Sequence, residues 1–244
     1  MKILVLGNQG YVGPVVTRYL YGLGNFEIDG LDTGFFAHCL TTTERFPEFG
    51  VRAQFLKDVR DIVAEDIAGY DALVYLAAVS NDPMGKKFRR ATKDINFLSC
   101  LRLAKAAKKI NIKKFIFASS CSMYGKTKGN KAIKENSALN PLTHYARSKI
   151  NSEKNLLKLS TKEFQVISLR FATAAGLSPN LRLDLVFNDF IANAISKKKI
   201  ELLSAGTSWR PLIHVDDMCK ALYWSIKYKL KKNFLAVNVG SNKW

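Results

Sequence analysis

A glycine-rich segment close to the N-terminus constrains the fold of this chain more than any other feature. The sequence GNQGYVG at residues 7–13 follows an apolar run, Ile3 to Leu6, and opens a stretch over residues 11–22 with helical character. Pro14 is tolerated there because it falls in the first helical turn. An apolar strand, a glycine loop and a helix in this order are typical of the first unit of a dinucleotide-binding α/β fold.

The three glycines and a later carboxylate have separate roles in such a unit. Gly7 permits a tight turn, Gly10 lets the backbone approach a pyrophosphate, and Gly13 lets the helix pack close to the strand. The unpaired N–H groups of the first helical turn then face the anion. Asp32 ends the second predicted strand and can accept hydrogen bonds from both ribose hydroxyls of adenosine. A carboxylate there would repel a 2′-phosphate, so the sequence favours NAD over NADP.

A second carboxylate, Asp58, follows the third predicted strand and has two possible roles. It could accept a hydrogen bond from the amino group of adenine, which would place it at the far end of the dinucleotide. It could instead cap the next helix, as aspartates at the start of helices commonly do. The residues around Asp58 favour neither role, so both stay open.

Apolar runs and amphipathic stretches alternate through the first 170 residues. Strands are predicted at residues 3–6, 26–31, 51–56, 72–76, 115–118 and 164–170, and helices at residues 11–22, 91–109 and 144–159. This alternation predicts an α/β fold built on a Rossmann-type, doubly wound parallel sheet. After residue 170 the pattern loosens into a helix near 186–196, a short strand at 200–203 and a helix that ends near residue 228.

These patterns divide the chain into two expected domains. Residues 1–172 are expected to form an NAD-binding Rossmann domain, and residues 173–244 a small, partial substrate-binding lobe. The chain ends directly after an apolar run and a turn. Such an end is what we expect of a truncated lobe.

The net positive charge of the chain bears on whether its partner is a nucleic acid or a small anion. There are 38 Lys and Arg residues against 20 Asp and Glu residues, a formal net charge of +18. The basic residues are spread over predicted helix ends and loops, and no aromatic-and-basic RNA-binding motif accompanies them. We therefore predict no nucleic-acid partner, although a basic surface would attract an anionic substrate such as a nucleotide diphosphate.

Neither a membrane span nor a cysteine-based site is indicated. No uncharged apolar run approaches the roughly 18 residues that cross a bilayer, so we predict no membrane insertion. The four cysteines lie far apart and no CxxC pair occurs, which argues against a metal site and against a disulfide framework. The resulting expectation is a cytoplasmic protein with reduced thiols.

A tyrosine and a lysine are the central candidates for catalysis. Tyr145 and Lys149 are four residues apart in a predicted helix, so they lie on one face, a turn apart. A nearby ammonium stabilises tyrosinate, and such a phenol can remove a proton from a sugar hydroxyl while hydride leaves the same carbon. Ser120 follows the fifth predicted strand, at the sheet edge where ligands bind. Its hydroxyl could bridge the tyrosine and the substrate oxygen.

The order of these motifs resembles the extended short-chain dehydrogenase/reductases, and specifically the NAD-dependent nucleotide-sugar epimerase/dehydratase family. The resemblance covers the whole chain and is carried by GNQGYVG at 7–13, LAAVSNDPMG at 76–85, ASSCSMYG at 118–125, NPLTHYARSK at 140–149, LRFATAAGLSPNLRLDLVFNDF at 169–190 and WRPLIHVDD at 209–217. It implies NAD as cofactor, a nucleoside-diphosphate sugar as substrate, and a homodimer that pairs through the two long helices at about 91–110 and 144–160.

The same resemblance implies the roles of individual residues. Ser120 matches the family's catalytic Ser or Thr, Tyr145 the general base, and Lys149 the residue that binds the nicotinamide ribose and tunes the tyrosine. The expected cofactor-binding residues are Gly7, Gln9, Gly10, Tyr11, Val12, Gly13, Asp32, Asp58, Val59, Leu76, Ala77, Ala78, Tyr145 and Lys149. The expected substrate-binding residues are Ser80, Asn96, Ser122, Thr173, Asn188 and Arg210, the last three where relatives hold the diphosphate.

The turn after Ser120 distinguishes between the reactions of this family. Dehydratases carry an Asp-Glu pair there, whereas this chain has Cys121 and Ser122; by motif order, Asp82 could stand in for a missing acid. We expect chemistry that needs only the three catalytic residues and NAD. That reaction is epimerisation at C4 of the sugar through a transient 4-keto intermediate. The alternatives are a nucleotide-sugar 4-dehydrogenase and a cofactor-binding fragment without turnover.

Overall fold

Strands and helices alternate along the chain in the computed structural model, which describes residues 1–41, 46–80, 82–126, 133–202 and 210–241. The strands are Lys2–Leu6 (β1), Glu27–Asp32 (β2), Ala53–Leu56 (β3), Ala72–Tyr75 (β4), Lys114–Ser120 (β5), Gln165–Phe171 (β6), Thr173–Ala175 (β7), Leu212–His214 (β8) and Phe234–Val239 (β9). The α-helices are Gly13–Gly22 (α1), Asp82–Lys87 (α2), Arg89–Lys93 (α3), Cys100–Lys109 (α4), His144–Leu159 (α5), Val186–Lys197 (α6) and Val215–Lys227 (α7). Short 3₁₀ turns span Ala37–Cys39, Glu65–Ile67 and Cys121–Tyr124, and a π-helix spans Asp94–Ser99.

Seven strands form one parallel sheet in the order β3-β2-β1-β4-β5-β6-β9. The chain runs outward in one direction from β1 to β3 and then returns to β4 on the other side of β1. Loops after β1 and β4 therefore diverge, and they open a crevice at the carboxyl edge of the sheet, where ligands bind in folds of this kind. This arrangement confirms the predicted Rossmann-type α/β fold. The remaining strands, β7 and β8, pair with each other as a separate parallel ribbon.

Alternating side chains of the strands form two apolar layers, one on each face of the sheet. In β1, Leu4 and Leu6 join the layer under α4 and α5, whereas Ile3 and Val5 join the layer under α1 and α7. This follows from the strand geometry, in which successive side chains point to opposite faces. Both layers are fully buried at their centres, so the sheet is a rigid base for the loops at its carboxyl edge.

Two elements differ from the sequence-based expectation. The helix predicted over 91–109 begins at Arg89 and contains the π-helix Asp94–Ser99 between α3 and α4. The strand expected at 200–203 is not found at residues 200–202, and residue 203 lies outside the described residues. Residue propensities alone predicted neither feature, and a π-helix occurs mostly as a single turn within an α-helix.

Residues beyond the expected domain boundary at 173 return to the main sheet. β9 pairs in parallel with β6, with Val166 opposite Phe234 and Phe171 opposite Val239. α7 packs against α1 on one face of the sheet. The segment after residue 173 is thus divided between the Rossmann sheet and the region around β7, β8 and α6. No helix among the described residues is long and apolar enough to cross a bilayer.

Replacing Gly13 with alanine should destabilise the fold, whereas replacing Gly22 of the same helix should not. A Cβ at Gly13 would lie 2.4 Å from backbone atoms of Asn8, but a Cβ at Gly22 would meet nothing within 4 Å. We expect Gly13→Ala to lower the free energy of unfolding by ~2 kcal/mol and Gly22→Ala to raise it by ~0.5 kcal/mol. Urea titration of both variants measures the difference, and equal effects would contradict the packing role of Gly13.

Candidate active site

The glycine loop leaves β1 as a sharp turn pressed against the end of β4. Gly7 has a φ of +87°, and a Cβ there would lie 2.6 Å from the backbone nitrogen of Ala77. A Cβ at Gly10 would instead meet no atom nearer than the Gly7 carbonyl oxygen, at 3.5 Å. The loop therefore packs tightly on its inner side and is open at Gly10, which leaves a cradle for a ligand phosphate.

The carboxylate of Asp32 lies at the end of β2, beside this cradle. Its oxygens accept hydrogen bonds from the backbone nitrogens of Gln9, at 3.0 Å, and Gly34, at 3.1 Å. Burial raises the pKa of Asp32, so further hydrogen-bond donors at this carboxylate are favourable. The buried Oε1 of Gln9 has no partner among the described residues. These features fit the adenosine ribose and pyrophosphate of NAD, and Gly7, Gly10 and Asp32 are the residues that would hold them.

The other predicted cofactor residues lie after β4, in the glycine loop and after β3. Leu76, Ala77 and Ala78 follow β4 and are half-buried, and the nitrogens of Leu76 and Ala77 both donate to the Leu6 carbonyl at 2.9 Å. Val12 and Tyr11 lie in the glycine loop, and Val59 packs into the apolar layer under α4.

Asp58 forms a local cluster with Arg60. Its oxygens accept from the Arg60 nitrogen at 2.8 Å, from Nε at 3.0 Å and from Nη2 at 2.7 Å. The Arg60 guanidinium lowers the pKa of the Asp58 carboxyl. Asp58 therefore caps its own turn rather than a long helix, and an adenine amino group would have to share it with Arg60.

Tyr145 and Lys149 lie in the first two turns of α5, which begins where Thr143 Oγ1 accepts a hydrogen bond from the Ala146 nitrogen at 3.1 Å. Lys149 is only 2% exposed. Its Nζ donates to the Ala118 carbonyl at 2.6 Å and lies 5.7 Å from the centre of the Tyr145 ring. Burial lowers the pKa of Lys149 to about 8. The ammonium thus lies between the Tyr145 ring and the end of β5, where it is hydrogen-bonded to Ala118.

Ser120 ends β5, two residues after the carbonyl that Lys149 contacts. Its Oγ accepts from the Ser122 nitrogen at 3.2 Å, which starts the turn Cys121–Tyr124. The Ser122 hydroxyl is buried and has no partner within the described part of the chain. Burial raises the pKa of the Cys121 thiol, so this thiol is a poor acid for expelling water from a sugar.

The side chain of Asn96 joins the loop after β4 to α5. The side chain is fully buried in the π-helix. Its Oδ1 accepts from the Val79 nitrogen at 2.8 Å, and its Nδ2 donates to the Val79 carbonyl at 3.0 Å and to Ser148 Oγ at 3.1 Å. These bonds occupy the amide, so Asn96 holds the loop after β4 against α5. A direct contact between Asn96 and the substrate stays a prediction.

Three predicted substrate residues, Thr173, Asn188 and Arg210, lie in or beside β7, α6 and β8. Thr173 starts β7, and its nitrogen donates to the Pro211 carbonyl at 3.0 Å, beside the exposed Arg210. Asn188 is buried at the start of α6. Its Oδ1 accepts from the Gly176 nitrogen at 3.2 Å, and its Nδ2 donates to the Arg182 carbonyl at 3.0 Å. Asn188 therefore braces the segment around β7 and α6.

Sequence reasoning missed a set of contacts between residues 176–180 and the glycine loop. The Tyr11 hydroxyl donates to the Gly176 carbonyl at 2.7 Å, and Ser178 Oγ donates to the Tyr11 carbonyl at 2.7 Å. Asn180 Nδ2 also donates to the Gln9 carbonyl. The spacing of residues in the sequence does not predict these contacts, which join residues more than 160 positions apart, because they depend on the tertiary fold.

Arg182 was also missed as a site residue. Its Nη1 donates to Ser80 Oγ at 2.5 Å, so a predicted substrate residue has an arginine partner from across the crevice. Arg182 also pairs with Asp184. The sequence offered one signal for Arg182, because it is a charged residue between Leu181 and Leu183. These residues lie in the segment 169–190 that carries the family resemblance.

Comparison with known proteins shows relatives with sugar epimerase names. The chain is 28% identical over 235 residues to the uncharacterized UDP-glucose epimerase YtcB of Bacillus subtilis (strain 168), covering 91% of this chain and 71% of the relative. It is 29% identical to N-acetyl-alpha-D-glucosaminyl-diphospho-ditrans,octacis-undecaprenol 4-epimerase of Escherichia coli O157:H7, covering 94% and 63%. It is 28% identical to UDP-glucose 4-epimerase of Lactobacillus helveticus, covering 96% and 74%. The chain thus spans less than two thirds of the second relative.

Solved structures share the fold over the whole chain. The structure of MoeE5 in complex with UDP-glucuronic acid and NAD superposes with a TM-score of 0.86 at 23% identity, covering 100% of this chain and 77% of that one. UDP-glucuronic acid 4-epimerase from Bacillus cereus, in complex with UDP-glucuronic acid and NAD, gives 0.82 at 23% identity, covering 100% and 78%. The model of the NAD dependent epimerase/dehydratase family matches residues 3–240. The chain therefore belongs to the NAD dependent epimerase/dehydratase family.

Proposed function

We propose that this protein is a nucleotide-sugar 4-epimerase that oxidises the C4 hydroxyl of its substrate and reduces the resulting ketone from the opposite face. One observation carries the proposal. Lys149 is buried beside Tyr145 and hydrogen-bonded at the end of β5, next to Ser120, while the following turn contains Cys121 and Ser122 instead of acids. This set suits proton transfer at one hydroxyl and lacks the carboxyl pair that water loss needs.

In this proposal Tyr145 takes the proton of the C4 hydroxyl as the C4–H bond breaks. Bound NAD supplies a hydride acceptor that can return the same hydride. The Lys149 ammonium stabilises the tyrosinate before the proton arrives. Ser120 Oγ hydrogen-bonds the sugar oxygen and keeps it within reach of the phenol. In the return step Tyr145 gives its proton back to that oxygen, so the atoms of substrate and product are the same.

The nucleoside diphosphate would lie along the side formed by β7, α6 and β8. Arg210 is exposed beside Thr173 and suits a bidentate contact with a phosphate. Asn188 supports this side from within through Gly176 and Arg182. The net charge of +18 adds a favourable long-range attraction for such an anion. We propose residues 173–214 as the main substrate-binding part of this chain.

Two further properties belong to the proposal. All four cysteines have free thiols, as is usual for proteins of the cytoplasm, where we place this chain. A homodimer through α4 and α5 agrees with the family resemblance of these helices. The proposed chemistry takes place at C4 of the sugar alone.

Incubation with UDP-glucose, UDP-glucuronic acid and UDP-N-acetylglucosamine should give, with at least one of them, a product of unchanged mass and inverted C4 configuration. Mass spectrometry and proton NMR of the sugar nucleotide measure the two properties. Loss of two hydrogens would identify a 4-dehydrogenase instead. Loss of one water would contradict the assignment of Cys121 and Ser122, because it would require an acid that the turn does not supply.

Tyr145→Phe should reduce turnover by ~10³-fold and leave the dissociation constant of NAD almost unchanged. The substitution removes the proton acceptor and retains the ring. Tyr21→Phe is the matched control, because Tyr21 is 57% exposed on α1 and its hydroxyl has no part in the proposed reaction. Substantial turnover by Tyr145→Phe would mean that another group is the base.

Lys149→Met should abolish turnover and stabilise the fold. The pKa of Lys149 is lowered to about 8 in the folded protein, below the roughly 10.4 of an unfolded lysine, so folding disfavours its ammonium. That penalty is full below about pH 8 and disappears as the pH rises towards about 10.4. After subtracting the lost Ala118 hydrogen bond, we expect ~2 kcal/mol of added stability at neutral pH.

Thermal unfolding of Lys149→Met and wild type at pH 7 and pH 10 measures this effect, with Lys154→Met as the control. Lys154 lies exposed on the same helix, and its replacement should change stability little at either pH. A Lys149→Met variant that is less stable than wild type at pH 7 would show that the buried ammonium is net favourable.

A further inference from the structure

A buried ion pair ties the catalytic helix to the neighbouring strand. Glu153 lies one turn after Lys149 on α5, and Arg170 lies on β6. Arg170 Nε donates to the two Glu153 oxygens at 3.1 and 3.2 Å, and Arg170 Nη2 also pairs with Glu153. Ser168 Oγ donates to Glu153 Oε2 at 2.7 Å. Glu153, Arg170 and Ser168 are all buried, so the carboxylate is held from two sides.

The same arginine reaches the turn that follows Ser120. Arg170 Nη1 donates to the Tyr124 hydroxyl at 2.7 Å, and this hydroxyl donates to Asn238 Oδ1 on β9 at 2.6 Å. Tyr124 is the last residue of the turn Cys121–Tyr124 and is buried. We call Glu153, Ser168, Arg170, Tyr124 and Asn238 the Arg170 network.

The stability of the fold does not by itself account for such a network. Removing two charges from water costs several kcal/mol, and a buried ion pair often does no better than an apolar pair of the same size. What the network does supply is a fixed geometry. Its two arms end on the helix that presents Tyr145 and on the turn that starts at Ser120.

We propose that Arg170 is a positioning residue for hydride transfer. Through Glu153 it holds α5, and through Tyr124 it holds the turn after Ser120, so that the hydroxyls of Tyr145 and Ser120 meet at one sugar oxygen. A misplacement of about 1 Å in such a geometry lowers rates by up to about 100-fold. The inference rests on the proposed function for its chemistry, and on the hydrogen bonds of the network for its geometry.

The chain contains a matched cluster away from the carboxyl edge of the sheet. Asp29 is fully buried on β2 and accepts from Arg52 Nε at 3.0 Å and from the Tyr70 hydroxyl at 2.7 Å. Like Tyr124, Tyr70 contributes a hydroxyl to a cluster of one arginine and one carboxylate. Tyr70→Phe therefore removes the same atom as Tyr124→Phe without changing any charge in either case.

The test measures reduction of NAD at 340 nm in a single turnover of NAD-loaded protein, with the three UDP-sugars named above as probes. We expect Tyr124→Phe to slow reduction by ~10-fold or more and to leave the dissociation constant of the sugar nucleotide within about twofold. Both variants should lower the melting temperature by similar amounts, because each loses one buried hydroxyl. Tyr70→Phe, however, should leave the rate of NAD reduction within about twofold of wild type. If Tyr124→Phe does not fold, Ser168→Ala, which loosens Glu153 alone, is measured in its place.

A second measurement needs no sugar substrate. The Tyr145 phenol is titrated by its absorbance at 295 nm, as the difference between each protein and its Tyr145→Phe counterpart. Because Tyr124→Phe changes no charge, a raised phenol pKa in that variant reports displacement from Lys149, and we expect no such rise in Tyr70→Phe. If wild type reduces NAD with none of the probes, the proposed activity on these UDP-sugars fails while this titration still tests the network. Equal melting shifts for both variants, with unchanged rates and unchanged phenol titrations, would overturn the proposal.

Discussion

The ammonium of Lys149, buried between α5 and the end of β5, is the contact on which the candidate site depends. Its 2.6 Å hydrogen bond to the Ala118 carbonyl fixes the helix against the sheet two residues before Ser120. The same group lies beside the Tyr145 ring. Burying it costs free energy, as its lowered pKa shows. The fold tolerates this cost where the proposed proton transfer needs a cation, and the surrounding structure holds the helix in place.

Two long-range sets of hydrogen bonds hold the elements around the candidate site. The Arg170 network holds α5 against β6 and against the turn after Ser120. On the cofactor side, Tyr11 and Ser178 connect the glycine loop to residues 176–180, so the cradle for the pyrophosphate is tied to the side proposed for the substrate. Cofactor and sugar would therefore be held by one connected set of contacts, which suits a reaction in which a hydride leaves and returns to the same carbon.

The sequence predicts those parts of the site that depend on local spacing. The glycine loop, Asp32 and the i, i+4 pair of Tyr145 and Lys149 could be placed because a strand, a turn and a helix determine their geometry. The parts that were missed depend on tertiary contact. The π-helix that directs the Asn96 amide to Val79 was not predicted, and the return of β9 to the sheet follows from pairing with β6, more than 60 residues away.

In the proposed mechanism the hydride removed from C4 returns to C4 without exchanging with water, and turnover in D₂O tests this return. The sugar nucleotide is epimerised in D₂O, and deuterium at each sugar carbon is measured by NMR and mass spectrometry. The proposed mechanism predicts inverted C4 with no deuterium on that carbon, since only the hydroxyl proton passes through Tyr145. Deuterium at C4 of the product would contradict it, because that result requires removal of a proton from carbon and its replacement from solvent.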